Sequence, residues 1–123
     1  MFEAATPEES KGRDIAARDI PQRGAARIRK ELVHEPLLEA RLFATIGYVY
    51  TELGNYSEAR RTLDDAVALA RATGDKGKVD LAQALVRRGR VEQHLDESAK
   101  AGSDEREALA ILESTYPHFS RRR

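Results

Sequence analysis

Cysteine and tryptophan are absent from this chain. Without cysteine there is no disulfide framework, no thiolate metal site and no cysteine nucleophile. Net charge is missing too, because 21 basic residues balance 21 acidic ones. General affinity for nucleic acid or for an anionic membrane surface needs a large basic excess, so neither partner is expected. The terminal run Arg121 to Arg123 is a local exception and reads as a solvated tail rather than a phosphate-binding arm. No uncharged apolar run approaches the length of a membrane span. The opening "MFEAATPEESKGRD" has no basic segment followed by an apolar core, so it does not read as a secretory signal. A soluble cytoplasmic protein is the expectation.

Catalytic constellations are missing as well. His34, His94 and His118 have no partner at metal-ligand spacing. The adjacent pairs Asp64-Asp65 and Glu8-Glu9 point in different directions on a helix, so they do not form a facing carboxylate dyad. The serines show no GxSxG elbow. The chain is not expected to be an enzyme, and no catalytic residue, cofactor or metal is assigned.

What remains is a 123-residue chain of helical character, one domain or an array of small repeated units. Alanine and leucine carry most of its apolar content, beside four tyrosines and three phenylalanines. Thr6-Pro7-Glu8-Glu9 is a helix-start signal, but the polar stretch after it contains Gly12, so residues 1–20 are expected to be a weakly ordered polar segment. Pro21 is expected to open a firmer helix over 21–34 with Ala25, Ile28 and Leu32 on one face. The bias of a residue before proline makes Glu35 a junction. The next helix runs from Pro36 to Leu53, its apolar Leu38, Leu42, Ile46, Val49, Tyr50 and Leu53 spaced by threes and fours, with Phe43 broadening the stripe. Gly54 ends it, and Asn55 is expected to cap the following helix with Glu58 as capping-box partner. That helix presents Ala59, Leu63, Ala66, Val67, Leu69 and Ala70. After the turn "GDKGK" comes a helix from Val79 to Leu95, with Ala82, Leu85, Val86, Gly89 and Leu95 as buried candidates. A last helix ends at Pro117 and begins at either Glu97 or Ser103. No period-two alternation suggests a strand, so the class is all-α.

Sliding the chain against itself by 42 residues sets Gly47 on Gly89, Ala40 on Ala82, Val49 on Val91, Leu53 on Leu95, Ala59 on Ala101 and Ala66 on Ala108. Like meets like at Phe43/Leu85, Val67/Leu109 and Leu69/Ile111, a pattern of helical-hairpin repeats. Gly47 itself is costly, about 1 kcal/mol against alanine in a helix interior. A close approach of paired helices explains it, with Ala59 or Ala66 expected opposite and Tyr50 filling the space beside.

The segment "ARLFATIGYVYTELGNYSEARRTLDDAVAL" resembles a tetratricopeptide repeat. Phe43, Ile46, Gly47 and Tyr50 match the first-helix signature, and Ala59, Leu63 and Ala66 match the second. In the second unit Arg88, Glu92 and Glu105 stand where the pattern wants apolar residues. The spacing resembles the longer variant found in kinesin light chains and many bacterial proteins. A further stretch, "RGAARIRKELVHEPLLEARLFATIGYVYTELGNYSEA", is similar to the repeat region that follows the catalytic domain of many bacterial serine/threonine protein kinases. The chain has no glycine-rich phosphate loop, HRD loop or DFG motif, so this likeness implies a detached or stand-alone docking segment.

The resemblance implies antiparallel helical hairpins stacked as a short right-handed α-solenoid. A repeat domain would span 21–117, with repeat one at 36–74 and repeat two at 78–116, followed by a basic tail at 118–123. Gly47, Tyr50, Ala59, Leu63, Ala66 and Gly89 would be scaffold. The first helix of each unit would line a concave surface that binds a protein or peptide, with a mild preference for acidic or C-terminal segments. Carried over, that face is Arg41, Ala44, Tyr48, Thr51 and Glu52 in the first unit and Gln83, Val86, Arg90, Gln93 and His94 in the second. Tyr48, Arg41 and Arg90 are the leading candidates. The carboxylate-binding version of this groove uses lysine and asparagine at places that Ala44 and Tyr48 occupy here, so chaperone-tail specificity is not implied. Stacks of this type usually need about three units. An open apolar end is therefore expected around Leu109 and Leu112, to be covered by self-association, by a partner, or by the rest of a longer chain.

Overall fold

The computed structural model describes residues 7–117, with side chains from Asp19 onward. Residues 1–6 and the basic tail at 118–123, His118 among them, lie outside the described residues. Five α-helices follow in order: α1 Pro7–Glu31, α2 Pro36–Glu52, α3 Tyr56–Ala72, α4 Lys78–His94 and α5 Ser98–Thr115, with a short 3-10 turn at Gly74–Gly77 before α4. No strand occurs among the described residues. Helices α2 and α3 pack as one hairpin and α4 and α5 as a second. The two hairpins join through α3 against α4, with α2 also reaching α4, and α1 lies on α2. This is an all-α helical-repeat solenoid.

Helix α1 departs from expectation. It is continuous from Pro7, with Pro21 inside it and buried, rather than opening at Pro21. Proline's fixed φ is itself helical, so the helix continues through this position although the ring removes a hydrogen bond. The helix stops at Glu31, short of the expected His34. Glu35, restricted by Pro36, has left the helical region at φ −124°, ψ 69°. Arg29 seats α1 on the first hairpin: it donates to Asp65 at 2.6 Å and its guanidinium lies 4.8 Å from the Phe43 ring centroid.

Both hairpins turn in the same way. Gly54 adopts φ +77° and Asp96 φ +59°, the left-handed conformation that ends a helix. The amide of Asn55 returns to the Tyr50 carbonyl at 2.9 Å, and that of Glu97 to the Glu92 carbonyl at 2.8 Å. These bonds satisfy carbonyls that a helix end leaves open. Asn55 stands at the N-cap of α3 but makes no side-chain capping bond, so the expected capping box with Glu58 is not formed. Helix α5 begins at Ser98, which settles its start near Glu97.

In the first hairpin α2 buries Ala40, Phe43, Ala44, Gly47 and Tyr50 against Ala59, Leu63, Ala66 and Ala70 of α3. Leu38, Val49 and Leu53, expected inside, are exposed. Apolar residues surround much of α2, so spacing alone did not locate the seam, which runs instead through its small residues. Gly47 faces Leu63 rather than Ala59 or Ala66: a Cβ there would stand 2.5 Å from Leu63 Cγ. Leu63 is wholly buried and has nowhere to withdraw.

The second hairpin fills the corresponding space differently. Arg88, on α4, donates from Nε and Nη2 to both oxygens of Asp104 on α5, at 2.8 and 2.9 Å, and from Nη1 to Asp64 on α3 at 3.1 Å. Glu92, 3% exposed, lies beside them with Oε2 3.9 Å from Arg60 Nη2. Arg60 bonds to Glu97, which Lys100 also meets at 2.8 Å. Glu92 Oε1 is buried with no donor. Burial above all, then a hydrogen bond to Asp104 and that carboxylate's charge, pushes Glu92 up to about 7. Burial works against the charged form of Asp104 too, but the Arg88 guanidinium and the bond from Glu92 hold it below the usual aspartate range. Of the two neighbouring carboxyl groups in this buried site, Glu92 is thus the one that takes up a proton first as pH falls.

Candidate partner-binding groove

Three helices shape a groove of about 630 Å³. Most of it comes from α4. Val79, Gln83, Val86 and Arg90 recur at helical spacing along one side of that helix, with Ala82 and Arg87 beside them. The opposite wall is Tyr48 and Thr51 of α2, and Leu112 closes the end where the last turns of α5 pass the start of α4.

The floor is apolar. Ala82 is buried, while Val79 and Val86 stay 43% and 50% exposed, a large apolar area for an unpartnered helix face. Thr51 adds no free hydroxyl, since its Oγ1 donates to the Gly47 carbonyl at 2.8 Å. The rim is cationic. Arg87 lies over the Tyr48 ring at 4.9 Å from its centroid, a cation–π contact that fixes both side chains. Arg90 extends along the other side, 3.7 Å from Glu52, with both groups half or more exposed. No carboxylate lines the groove.

Of the residues expected on the binding face, Tyr48, Thr51, Gln83, Val86 and Arg90 come together here. Arg41 does not: its guanidinium is turned onto Asp80, Nε to Oδ1 at 2.8 Å and Nη2 to Oδ2 at 3.3 Å, binding α2 to α4. Glu52 stands outside the lining as the counter-ion of Arg90. His94 lies at the far end of α4, its ring stacked on Tyr56 at 4.5 Å and 8°. Ala44 is buried by the neighbouring helices rather than presented to a partner.

Four lining residues are not among those the sequence placed on the binding face: Val79, Ala82, Arg87 and Leu112, the last expected instead at an open apolar end. Val79 was legible, one turn before Gln83 on the same stripe. Ala82 reads from the sequence as core alone. Arg87 enters through its contact with Tyr48, and Leu112 through the crossing of α5 over α4, and neither has a signal in spacing.

Among the described residues there is no cluster of histidine and carboxylate groups able to hold a metal ion, and no helix is long and apolar enough to cross a membrane. A stack of helical hairpins with an apolar groove and a charged rim defines a helical-repeat interaction scaffold. A family model described as tetratricopeptide repeat matches residues 38–114, and the chain belongs to that family. The family's repeats are non-catalytic modules that mediate protein–protein interaction. No curated protein and no solved structure matches the chain.

Proposed function

We propose that this protein docks a segment of a partner protein in the groove between α2 and α4, and that the segment is apolar with acidic side chains. The observation that carries this reading is the composition of the groove: Val79, Val86 and Leu112 offer an apolar floor, Arg87 and Arg90 a cationic rim, and no acidic residue lines it. Tyr48 and the two arginines are the residue types that dominate interface energetics when buried. The partner's apolar side chains cover Val79 and Val86, and its carboxylates meet Arg87 and Arg90. Arg41, Glu52 and His94 have no contact role in this reading.

The test is capture of partners from the source cell's lysate by the wild-type chain and by a Val86→Asp/Arg87→Glu variant whose fold is checked by circular dichroism. A partner held by wild type should be lost by the variant, with affinity down at least about tenfold, or 1.4 kcal/mol. Equal capture by both proteins would place the interface elsewhere.

A further inference from the structure

A smaller cavity, of about 230 Å³, opens between α1, the last turns of α2 and the first turns of α3. Ala25 aside, every residue lining it carries a polar group. Helix α1 supplies Gln22 and Arg29, α2 supplies Tyr50, and α3 supplies Glu58, Arg61 and Thr62. Tyr48 of the groove and Tyr50 stand two residues apart, so at 3.6 residues per turn they leave α2 on nearly opposite sides. The two concavities are therefore separate.

Tyr50 is the informative group. It is 4% exposed, yet its hydroxyl makes no hydrogen bond among the described residues. Glu92 Oε1 is the one fully enclosed side-chain oxygen without a partner among those residues. The unpaired Tyr50 oxygen is thus not enclosed, and it opens onto the cavity that Tyr50 lines. Burial first, then the charge of Glu58, pushes this hydroxyl up against the pull of Arg29, so it stays protonated and able to donate. A buried donor left unused is costly, and a ligand oxygen that accepts from it removes that penalty.

The neighbouring groups define what would accept. Arg29 is held by one bond, from Nη2 to Asp65 at 2.6 Å, and by its contact with the Phe43 ring, so its other N–H groups are open. Arg61 stands 3.5 Å from Glu58, a loose ion pair that makes no hydrogen bond. Thr62 is already committed, its Oγ1 donating to the Glu58 carbonyl at 2.8 Å. Two guanidinium forks and a phenol suit a planar, singly charged carboxylate. Glu58 disfavours a dianion such as phosphate and calls for a donor from the ligand instead. Pockets for drug-sized ligands span roughly 300–1,000 Å³, so this smaller one excludes a nucleotide or a peptide.

We propose that this cavity binds a small carboxylate bearing a neighbouring amine or hydroxyl group, that is, an amino acid or a hydroxy acid. Its carboxylate accepts from Tyr50, Arg29 and Arg61, and its N–H or O–H donates to Glu58. Gln22, exposed at the rim, can turn its amide to either end of the molecule. Because three helices contribute, the bound molecule clamps α1 onto the first hairpin. The site goes beyond the groove reading and does not depend on it.

Amide chemical-shift titration of the ¹⁵N-labelled full chain tests this. The probes are the common L-amino acids, L-lactate and glycolate, with acetate and inorganic phosphate as controls. At least one amino or hydroxy acid should give saturable shifts at Tyr50, Glu58, Arg61 and Thr62 and raise the melting temperature. Which of the two groups does so identifies the ligand's source. Acetate lacks the donor for Glu58 and phosphate carries the extra charge, so both should bind at least about tenfold more weakly. Tyr50→Phe keeps the ring and removes only the hydroxyl, while Arg61→Ala changes a side chain that is 77% exposed. Each should weaken the best probe at least about tenfold with the circular dichroism spectrum unchanged. The Val86→Asp/Arg87→Glu variant should bind that probe as wild type does, which keeps failure here distinct from failure of the groove. Absence of saturable shifts from every amino and hydroxy acid overturns the proposal. So does acetate or phosphate binding as tightly as the best probe. Undiminished binding by either cavity variant also overturns it, leaving only loose association of anions with surface arginines.

Discussion

The two hairpins have the same turns and nearly the same helix lengths, yet their interiors are made of different chemistry. Under the alignment that sets Gly47 on Gly89, the first hairpin has Ile46, Tyr50, Thr62 and Leu63 where the second has Arg88, Glu92, Asp104 and Glu105. The first closes by apolar contact around Leu63. The second buries Leu85 and Val91 as completely, and adds a network in which Arg88 ties Asp104 to Asp64, with Glu92 enclosed beside it. Apolar packing is non-directional and nearly indifferent to pH, whereas a buried ionic network repays its desolvation only if every bond is made. The groove belongs mainly to this second, polar hairpin, with Tyr48 and Thr51 as the contribution of the first. In the proposed reading, the first hairpin is mainly scaffold and the second presents most of the docking surface.

The largest effect should come from removing the apolar centre of the first hairpin and its counterpart in the second. Leu63→Ala should cost about 2–5 kcal/mol, as expected for a fully buried leucine. Glu105→Ala removes only an exposed bond from Gln93 and should stay within about 0.5 kcal/mol. Urea unfolding of the two variants checks the contrast. Similar losses at both sites would mean that the hairpins are packed alike.

The network should reveal itself through pH. Glu92 is raised from its ordinary value of 4.5 to about 7 in the folded chain. The folded state therefore holds that proton more tightly than the unfolded state, and stability from this group is greatest below about pH 4.5. It declines as pH rises towards 7 and is lost above that. Glu92→Gln stays neutral throughout. It should match wild type near pH 4.5 and exceed it by up to about 3 kcal/mol at pH 8. Denaturant unfolding of both proteins at the two pH values measures this, and a difference that does not grow with pH would remove Glu92 from the proton-sharing role. The lowered Asp104 acts in the opposite sense, but only as pH falls below the usual aspartate range, outside this window.

The smallest contrast separates the two glycines. Gly47→Ala drives a methyl group to 2.5 Å from Leu63 Cγ and should cost about 1–3 kcal/mol. At Gly89 the nearest atom is the Ala101 carbonyl oxygen at 3.4 Å, ordinary contact, so alanine should be neutral or gain up to about 1 kcal/mol from helix propensity. Thermal melts of the two variants, moving in opposite directions, are the expected result.

Much of this architecture was legible because helix boundaries are written in local chemistry: Pro36, Gly54, the Gly74 turn and Pro117 bracket elements that formed close to their expected bounds. The apolar content of α2 misled, since spacing picks out a stripe but not its centre, and the seam chose Ala40, Ala44 and Gly47 over Leu38, Val49 and Leu53. Pro21 misled as well, because a proline that can start a helix can also be carried inside one. Arg88 and Glu92 were visible as misfits to an apolar pattern. Their partners were not, since Asp104, Asp64 and Arg60 come from two other helices and only tertiary packing brings them together. Five of the ten expected groove residues line it; Arg41, Glu52, His94 and Gln93 are engaged by Asp80, Arg90, Tyr56 and Glu105, and Ala44 is buried, contacts that a one-helix reading has no means to anticipate. The likeness to kinase-associated repeats rests on the quoted residues alone.

The most direct test of the division between a holding and a binding hairpin is amide chemical-shift mapping. The acidic segment of the captured partner would be titrated into the ¹⁵N-labelled chain. The largest changes should gather along α4 at Val79, Val86, Arg87 and Arg90, with Tyr48 across the groove, while the outer face of α3 stays unchanged. Changes centred on α3 or α1 would contradict it.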